Sequence, residues 1–423
     1  MRTNLHRRGF LGSTLAGLTG AVLATPRWTV LAGDAAPSEQ AAGPTIDCGF
    51  PGGNIVVERV AGDVVELHQD QRDTKDWWFY WYFRVRGAAA RALRFRFTQG
   101  NVFAARGPAV STDAGRSWEW LGAGAVEGDS FSYRFAPDAG DVRFCLAMPY
   151  VESNLAEFLA RYRGNPHVRV DTLCRSRKGR TVERIHAGQL DGRATHRALL
   201  TCRHHACEMM ANWALEGILQ SVLADDAAGR WFRQQVELIA VPFVDKDGVE
   251  DGDQGKLRQP HDHNRDYLGD SLYPEVTALR QWAEAQPRGT IDFFMDMHCP
   301  WIRGGRNEEV FFVGSPDAAM WQRQQRFSRL LQRVQRGSLA HDPKHDLPFG
   351  QEWNRTKEAR IASRYFGSEG RARLALSIEI PYANAGGAAV TPESARELGA
   401  DLAAAIREWL SAAGDGPAVD SPG

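Results

Sequence analysis

The sequence predicts an α/β domain, built on a mixed sheet flanked by helices and preceded by a small all-β sandwich domain. Between residues 45 and 150, short runs of alternating apolar and polar residues recur between Gly, Asp and Pro turns, which is typical of a β-sandwich. Beyond residue 165, apolar strand patterns alternate with long helix patterns, which indicates an α/β domain with a largely buried sheet. A chain of 423 residues is long enough for both parts.

The first 36 residues are predicted to be a twin-arginine export signal and its leader. Arg7 and Arg8 precede a small, apolar and uncharged run that ends at Ala24. A membrane anchor is the alternative, but the run is shorter than the roughly 20 residues that a spanning helix needs. We therefore expect an exported protein, periplasmic or extracellular, without stable membrane insertion once the signal is removed.

The sandwich is predicted over residues 45–150 and a connecting helix over residues 151–165. Strand patterns in the sandwich cover residues 54–60, 77–85, 92–97 and 142–148. The aromatic run 77–83 is expected in the core and at the domain interface, because large aromatic side chains are mostly buried. A ligand platform is the alternative for this run.

The α/β domain is predicted over residues 166–413. Its buried strands are expected at 197–202, 236–244, 290–297 and 373–380, and its helices at 209–223, at 317–335 and from Thr391 onward. Pro392 in the first turn of the last helix is a sound N-terminal signal. Residues 414–423 are predicted to be a disordered tail.

Charge and cysteine content exclude several classes of protein. Lys and Arg number 51 against 52 Asp and Glu, so no global field favours nucleic acid or an anionic membrane. The six cysteines follow no disulfide framework spacing and form no CxxC pair, so we expect most of them to be small buried hydrophobic residues and no cysteine-built zinc site. The sequence carries no signal for the oligomeric state.

Candidate metal ligands follow two of the predicted strands. His205 and Glu208 stand where a strand ends and a helix begins, and His298 closes another strand. Ligands bind at the carboxyl ends of strands in open α/β sheets, and two His with one Glu form a common hydrolytic zinc triad. Taken alone, an HxxE pair also arises by chance. Asp296 is either an acceptor for a ligand imidazole or a turn residue.

Other polar residues could act on a substrate. Arg265 offers a planar fork for a carboxylate, with Asn264 as a further donor, and Arg258 could stabilise a developing oxyanion. Surface salt bridges are the alternative for both arginines. Glu379 lies inside an apolar strand, where burial would raise its pKa toward the range of a general base; a structural Glu paired with a buried Arg is the alternative.

The order HxxE, Arg, Asn-Arg, His and a late-strand Glu resembles the zinc carboxypeptidase superfamily. Residues 76–87 and 144–150 are similar to the sandwich strands of its cytosolic-carboxypeptidase-like branch. Two departures are His263, where the branch has Leu, and the spacing before Arg258, which differs from the Gly-Asn-x-Arg form. The resemblance implies one zinc on a catalytic domain over residues 166–413, bound by His205, Glu208 and His298. It also implies that Arg258 polarises the scissile carbonyl, that Asn264 and Arg265 bind the terminal carboxylate of the substrate, and that Glu379 is the base.

These features predict an exported zinc metallocarboxypeptidase that removes the C-terminal residue of peptides with a free carboxylate, through a zinc-activated water. The branch resemblance implies acidic C-terminal residues, and Arg303 or Arg306, just beyond His298, are candidates to line the side-chain pocket. Export makes cell-wall peptides an alternative substrate. Tyr365 is a candidate for the family's substrate-capping tyrosine. A zinc amidohydrolase of the aspartoacylase type is the alternative enzyme, and the sandwich argues against it. A non-catalytic peptide-binding relative is the third reading, and the intact ligand set argues against it.

Overall fold

A computed structural model of the protein describes residues 43–414, apart from 356 and 359, with side chains as far as residue 412. The predicted export signal, and residues 415–423 of the predicted tail, lie outside the described residues. No helix in the described range is long and apolar enough to cross a membrane. The sandwich and the α/β domain fall within one compact unit that begins at Gly43.

The N-terminal part is a sandwich of two five-stranded sheets with strand orders β1-β4-β10-β6-β7 and β2-β3-β5-β9-β8. Their bounds are β1 Thr45–Asp47, β2 Val56–Ala61, β3 Val64–His68, β4 Tyr82–Arg86, β5 Ala92–Phe97, β6 Ala109–Ser111, β7 Glu119–Trp120, β8 Val126–Glu127, β9 Ser130–Arg134 and β10 Val142–Cys145. Aromatic rings close the space between the sheets: the Phe83 ring centroid lies 5.3 Å from that of Phe95, and the Phe131 centroid 5.2 Å from that of Phe144. The predicted sandwich is confirmed.

The predicted strand at 77–85 begins only at Tyr82, and residues 77–81 are not part of a strand. The backbone N–H of Tyr80 donates to the Gln254 side chain at 2.8 Å, and the Tyr80 carbonyl accepts from the same amide at 2.8 Å. A side chain of the α/β domain thus satisfies the backbone groups that a neighbouring strand would otherwise satisfy. The aromatic run therefore lies at the domain interface, as predicted.

The α/β domain contains a seven-stranded mixed sheet with strand order β11-β12-β14-β13-β15-β17-β16. Its strands are β11 Val168–Arg175, β12 Thr181–Gly188, β13 His196–Cys202, β14 Val236–Val241, β15 Ile291–His298, β16 Phe311–Phe312 and β17 Ala372–Glu379, and a small hairpin, β18 Asn384–Ala385 and β19 Ala388–Ala389, follows. The four predicted strands are the central parallel ones, β13, β14, β15 and β17. The antiparallel pair β11 and β12 was not among the predicted strands.

Helices cover both faces of this sheet. They are α1 Glu152–Ala160, which connects the domains, α2 Met210–Leu223, α3 Ala227–Gln235, α4 Lys246–Asp251, α5 Pro274–Glu284, α6 Ala318–Val334, α7 Ala362–Gly367 and α8 Pro392–Gly414. Successive residues of β15 face opposite sides, since Phe293 packs on Phe327 of α6 while Phe294 stacks on Phe366 of α7. The predicted fold class is confirmed.

The cysteines behave as the sequence predicts. All six are free, and Cys145, Cys202, Cys207 and Cys299 are buried. These four are part of the packed interior of both domains, and none of the six forms a disulfide in the described part of the chain.

Candidate metal centre and active site

Three neighbouring parallel strands end at one edge of the sheet and bring the predicted site residues together. His298 and Glu379 are the last residues of β15 and β17 and stand opposite each other in the strand register. His205 and Glu208 follow β13, which pairs with β15 on its other side. The carboxyl ends of parallel strands thus place four chemically active side chains within one region.

The predicted ligand atoms converge. His205 Nδ1 lies 3.0 Å from Glu208 Oε1, and His298 Nδ1 lies 2.7 Å from Glu208 Oε2. One ligand atom from each of these three buried residues lies within 4.8 Å of the other two. Two imidazole nitrogens and one carboxylate oxygen match the donor set of hydrolytic zinc sites. The residues present therefore fit a divalent metal.

A hydrogen bond from outside the candidate ligand set orients the His298 imidazole. His298 Nε2 donates to Asp296 Oδ2 at 2.6 Å, so Asp296, which lies within β15, is an acceptor for a candidate ligand and not a turn residue. His205 Nε2 faces Asp262 Oδ1 at 3.6 Å. Asp296 also accepts from His204 Nδ1 at 2.7 Å. The group of His204, Asp296 and His298 could also hold an ion by its spacing, but His204 is fully buried and its other nitrogen lies 2.8 Å from the Tyr267 hydroxyl.

A cavity of about 610 Å³ opens onto this centre. Five of the predicted site residues line it: His205, Asn264, Arg265, His298 and Glu379. Trp78 of the aromatic run also lines the cavity, so this run contributes a wall of the candidate site in addition to the domain interface. The Trp78 ring meets Trp301 edge-on, with 4.9 Å between the ring centroids. One rim of the cavity is therefore aromatic.

No family model matches the sequence. Among solved structures, the fold is similar to a metallo-carboxypeptidase from Burkholderia cenocepacia, with a TM-score of 0.73 and 21% identity, over 87% of this chain and 99% of that one. The chain has the metallocarboxypeptidase fold. Because that match includes the sandwich, the fold agreement covers both domains.

The sequence relatives point the same way. An uncharacterized protein of Zymomonas mobilis is 24% identical over 383 residues, which cover 86% of this chain and 96% of the relative. Cytosolic carboxypeptidase 3 of Mus musculus is 24% identical over 195 residues, which cover 44% of this chain. The chain spans only 19% of the length of the mouse protein. The resemblance to the zinc carboxypeptidase superfamily is supported by these matches and by the metallocarboxypeptidase fold.

Within the metallocarboxypeptidase fold, Asn264 and Arg265 lie on a single 3-10 turn, His263–Arg265. The Asn264 side-chain carbonyl accepts from the Ala362 backbone N–H at 2.9 Å, which fixes the amide, and its Nδ2 lies 3.2 Å from His298 Nε2. The Arg265 side chain is exposed at the cavity, and its one hydrogen bond within the described part of the chain goes to the Asn264 carbonyl. Its guanidinium retains donors for a ligand.

Arg258 lies elsewhere. Its guanidinium contacts three carboxylates, Asp245, Asp253 and Asp73, at 2.7, 2.9 and 3.0 Å, and it lines a separate polar cavity of about 480 Å³. The structure therefore does not bring Arg258 to the candidate metal centre, because these carboxylates hold its charge at the domain interface. Arg258 is thus part of a buried ion cluster; it neither reaches the candidate centre to stabilise an oxyanion nor forms a surface salt bridge.

Lys256, two residues earlier, takes the position beside the centre that we had expected for Arg258. It lies on the segment 252–258, here named the lysine loop, and its Nζ is 2.7 Å from Glu208 Oε1. It also lines the main cavity. Sequence reasoning missed Lys256, and the only signal was the irregular spacing before Arg258.

Arg364 of α7 was also missed. It is buried and lines the cavity; Nη2 donates to Asn354 Oδ1 at 2.7 Å, while Nη1 has no hydrogen-bond partner in the described part of the chain. Burial, together with the charge of Arg265, lowers the pKa of Arg364 to about 10. No described carboxylate oxygen lies within 4 Å of the Arg364 guanidinium. The cavity therefore contains a buried cation that has no anionic partner among the described residues.

Of the two arginines that we expect to line a side-chain pocket, only Arg306 lines the cavity. Arg303 does not line the cavity, and Arg306 does so while paired with Glu352 at 3.2 Å. Tyr365 is buried outside it and donates to Glu284 at 3.0 Å, so it does not cap the cavity.

The carboxylates of the centre differ in their ionisation. Burial would raise the pKa of Glu208, but the charges of His205 and Lys256 outweigh it and hold that pKa well below its usual range. Burial raises the pKa of Glu379 to about 7, against the charge of His298, which lowers it. Glu379 Oε2 has no hydrogen-bond partner among the residues that the structure describes. One carboxylate is thus anionic, and the other is set for proton exchange near neutral pH.

Proposed function

We propose that the chain is an exported zinc metallocarboxypeptidase that removes acidic C-terminal residues from peptides. The observation that carries this proposal is the convergence of three candidate ligand atoms within 4.8 Å, beside Glu379 in the cavity wall, whose Oε2 has no hydrogen-bond partner among the described residues. A buried carboxylate without a hydrogen-bond partner costs stability. A hydrolase needs one as a base.

The proposed metal ligands are His205, Glu208 and His298. A zinc ion held there would supply a Lewis acid at the wall of the cavity. Asp296 fixes the tautomer of His298 by accepting a hydrogen bond from its Nε2–H. Glu208 provides the negative charge that offsets the cation.

Glu379 is the proposed general base. Its carboxylate takes a proton from the attacking water and returns a proton to the amine nitrogen as the C–N bond breaks. A pKa of about 7 suits both transfers, because the group is then close to evenly divided between its two forms at neutral pH.

Asn264 and Arg265 are proposed to hold the terminal carboxylate of the substrate. The guanidinium fork of Arg265 matches a carboxylate in two parallel hydrogen bonds. Asn264 is fixed by its bond from Ala362, so its amide is oriented before the substrate binds. This pair would restrict cleavage to the last residue of a chain.

Arg364 supports the acidic preference. A buried guanidinium without an anion carries a desolvation cost that a substrate carboxylate would offset. Arg306 is already paired with Glu352, so Arg364 replaces it in the proposal. Cell-wall peptides remain an alternative substrate class, distinguished by the test below.

Export is proposed from the sequence alone. The support is the arginine pair at Arg7 and Arg8 ahead of an apolar run. Cell fractionation tests it: the wild type should accumulate outside the cytoplasm, and a variant with both arginines changed to lysine should not. Equal distribution of the two proteins would contradict export by this route.

The experiment for the activity uses the zinc-loaded full chain and peptides that differ only in their last residue, Glu, Asp, Lys or Phe, each as free acid and as amide. A murein tripeptide and an N-acetyl amino acid complete the set, with products identified by mass spectrometry. We expect single-residue release from the Glu and Asp free acids and none from the amides. Hydrolysis of the N-acetyl amino acid alone would favour an amidohydrolase, and no turnover of any substrate would overturn the proposal.

A further inference from the structure

Lys256 lies on the cavity wall with no role in the proposed function. Its Nζ is 2.7 Å from Glu208 Oε1, and its side chain is 21% exposed. It is the only lysine among the described residues that line the cavity. The ammonium also lies 5.4 Å from the centre of the Trp78 ring, an arrangement that favours the charged form at this position.

One side of the lysine loop is packed against the turn that carries His205. Gly255 has a φ of +74°, and a Cβ there would lie 2.0 Å from the Ala206 nitrogen, so only glycine allows this approach. The Cys207 backbone N–H donates to the Gln254 carbonyl at 3.2 Å. The position of Lys256 is therefore fixed relative to the candidate metal ligands.

The sandwich holds the other side of the loop. Asp73 accepts from the backbone N–H groups of Gln254 and Gly255 at 2.9 and 2.8 Å, and from Arg258 Nε at 3.0 Å. These contacts fix the backbone immediately before Lys256 and the side chain two residues after it. A long, flexible side chain thus starts from a rigid base, which reduces the entropy lost when it holds a ligand.

The residue roles proposed so far include no side chain that stabilises negative charge on the scissile carbonyl oxygen. Amide hydrolysis places negative charge on the carbonyl oxygen, and donors aimed at that oxygen accelerate the reaction. Arg258 is bound to three carboxylates, and Arg265 is assigned to the terminal carboxylate. Among the lysines and arginines that the structure describes, only Lys256 lies within 4 Å of the proposed ligand Glu208.

We propose that Lys256 is a further catalytic residue, whose ammonium stabilises the negative charge that develops on the scissile carbonyl oxygen. The inference rests on the proposed function. As the water oxygen bonds to the carbonyl carbon, its proton passes to Glu379 and the C=O π pair moves onto the oxygen beside Lys256. When the C–N bond breaks, its electron pair goes to the nitrogen, which takes the proton from Glu379, and the oxygen regains its double bond. Lys256 donates hydrogen bonds and keeps its proton.

The test compares Lys256→Met and Lys256→Arg with wild type, using a peptide with a C-terminal Glu. Lys344→Met is the matched control, because that lysine is 69% exposed and lies outside the cavity. We expect Lys256→Met to lower kcat by about 100-fold, with KM within about threefold and zinc content unchanged. Lys256→Arg should recover at least about tenfold of the loss, because it restores a cation.

Binding measurements separate this role from others. A phosphonate analogue of the peptide carries the charge of the tetrahedral intermediate, and we expect Lys256→Met to weaken its binding by about 100-fold while product binding is unchanged. Unchanged kcat with tighter zinc binding would show that Lys256 is only a counter-ion of Glu208, and lost zinc would show a structural role; either overturns the inference. If wild type hydrolyses no peptide, both the proposed function and the proposed role of Lys256 fail. If wild type and Lys256→Met are equally active, only the proposed role of Lys256 fails.

Discussion

Asp73 of the sandwich accepts a hydrogen bond from the Gly255 backbone N–H at 2.8 Å, across the interface between the two domains. The same carboxylate contacts Arg258 at 3.0 Å, with side-chain exposures of 10% and 13%. The sandwich therefore takes part in positioning the lysine loop beside the candidate metal centre. This contact gives the N-terminal domain a role that the sequence did not indicate.

Replacing Asp73 should disturb the site from a distance. In Asp73→Asn, Arg258 loses an anionic partner and the loop loses an acceptor, so we expect kcat/KM to fall by about tenfold and the free energy of unfolding to fall by about 2–4 kcal/mol. Peptidase kinetics and urea unfolding measure the two effects. Asp63→Asn is the control, because Asp63 is an exposed sandwich residue. Unchanged kinetics in a destabilised Asp73→Asn would mean that the domain contact is purely structural.

Glu379→Gln should separate chemistry from metal binding. Glutamine keeps the size of the side chain but cannot accept a proton, so kcat should fall by about 10²–10⁴. Zinc content should stay at the wild-type value, because Glu379 is not among the proposed ligands. Retention of more than about half of the wild-type kcat would rule out Glu379 as the base.

Arg364→Met should weaken the preference for acidic C-terminal residues and increase the stability of the protein. Loss of the guanidinium removes the proposed partner of an acidic side chain, so kcat/KM for a C-terminal Glu should fall by about 100-fold relative to that for a C-terminal Met. The free energy of unfolding should rise by about 1 kcal/mol, because a buried charge without a carboxylate is removed. Arg306→Met is the matched control within the cavity, and it should keep the acidic preference. An unchanged preference in Arg364→Met would assign that preference to another residue.

Two buried groups at one end of the sheet should give opposite pH dependences of stability. Burial lowers the pKa of His341 to about 4 and raises the pKa of Asp346 to about 6. As pH falls from 6.5 toward 4, only the unfolded chain takes up a proton at His341, so stability is lost. As pH falls through 6, the folded chain takes up a proton at Asp346 before the unfolded chain does, so stability is gained.

Two variants isolate these contributions. When the pH is lowered from 7 to 5, the free energy of unfolding of His341→Gln relative to wild type should rise by about 2 kcal/mol, and that of Asp346→Asn should fall by about 1 kcal/mol. Urea unfolding at the two pH values measures both. Parallel pH profiles for wild type and the two variants would show that neither group contributes.

The hydrophobic pattern of the sequence was sufficient to predict the buried central strands of the α/β sheet. Continuous apolar runs marked β13, β14, β15 and β17, and the end of β15 at His298 placed that residue at the edge of the sheet. The hairpin of β11 and β12 was missed because β11 has no buried residue, so its hydrophobic signal is weak. The residues before Tyr82 were assigned to a strand because their backbone partner, Gln254, lies 174 residues away in sequence.

The site could be predicted as far as the ends of strands determine it. His205, Glu208, His298 and Glu379 each lie at or just after the end of a strand, so one edge of the sheet brings them together. Lys256 and Arg364 could not be predicted in this way. Lys256 is placed by Asp73 and by a glycine in the left-handed region, and Arg364 was hidden because nothing in its local sequence marks a missing partner.

The most direct test of the account is metal analysis of purified wild type and His205→Ala, together with release of C-terminal residues from a mixed peptide library. Glu379→Gln serves as a folded control that should keep its metal. The account predicts about one zinc per chain in wild type and in Glu379→Gln, and its loss from His205→Ala together with single-residue trimming. A wild-type protein that binds no zinc, and gains no hydrolysis when zinc is added, would contradict the account.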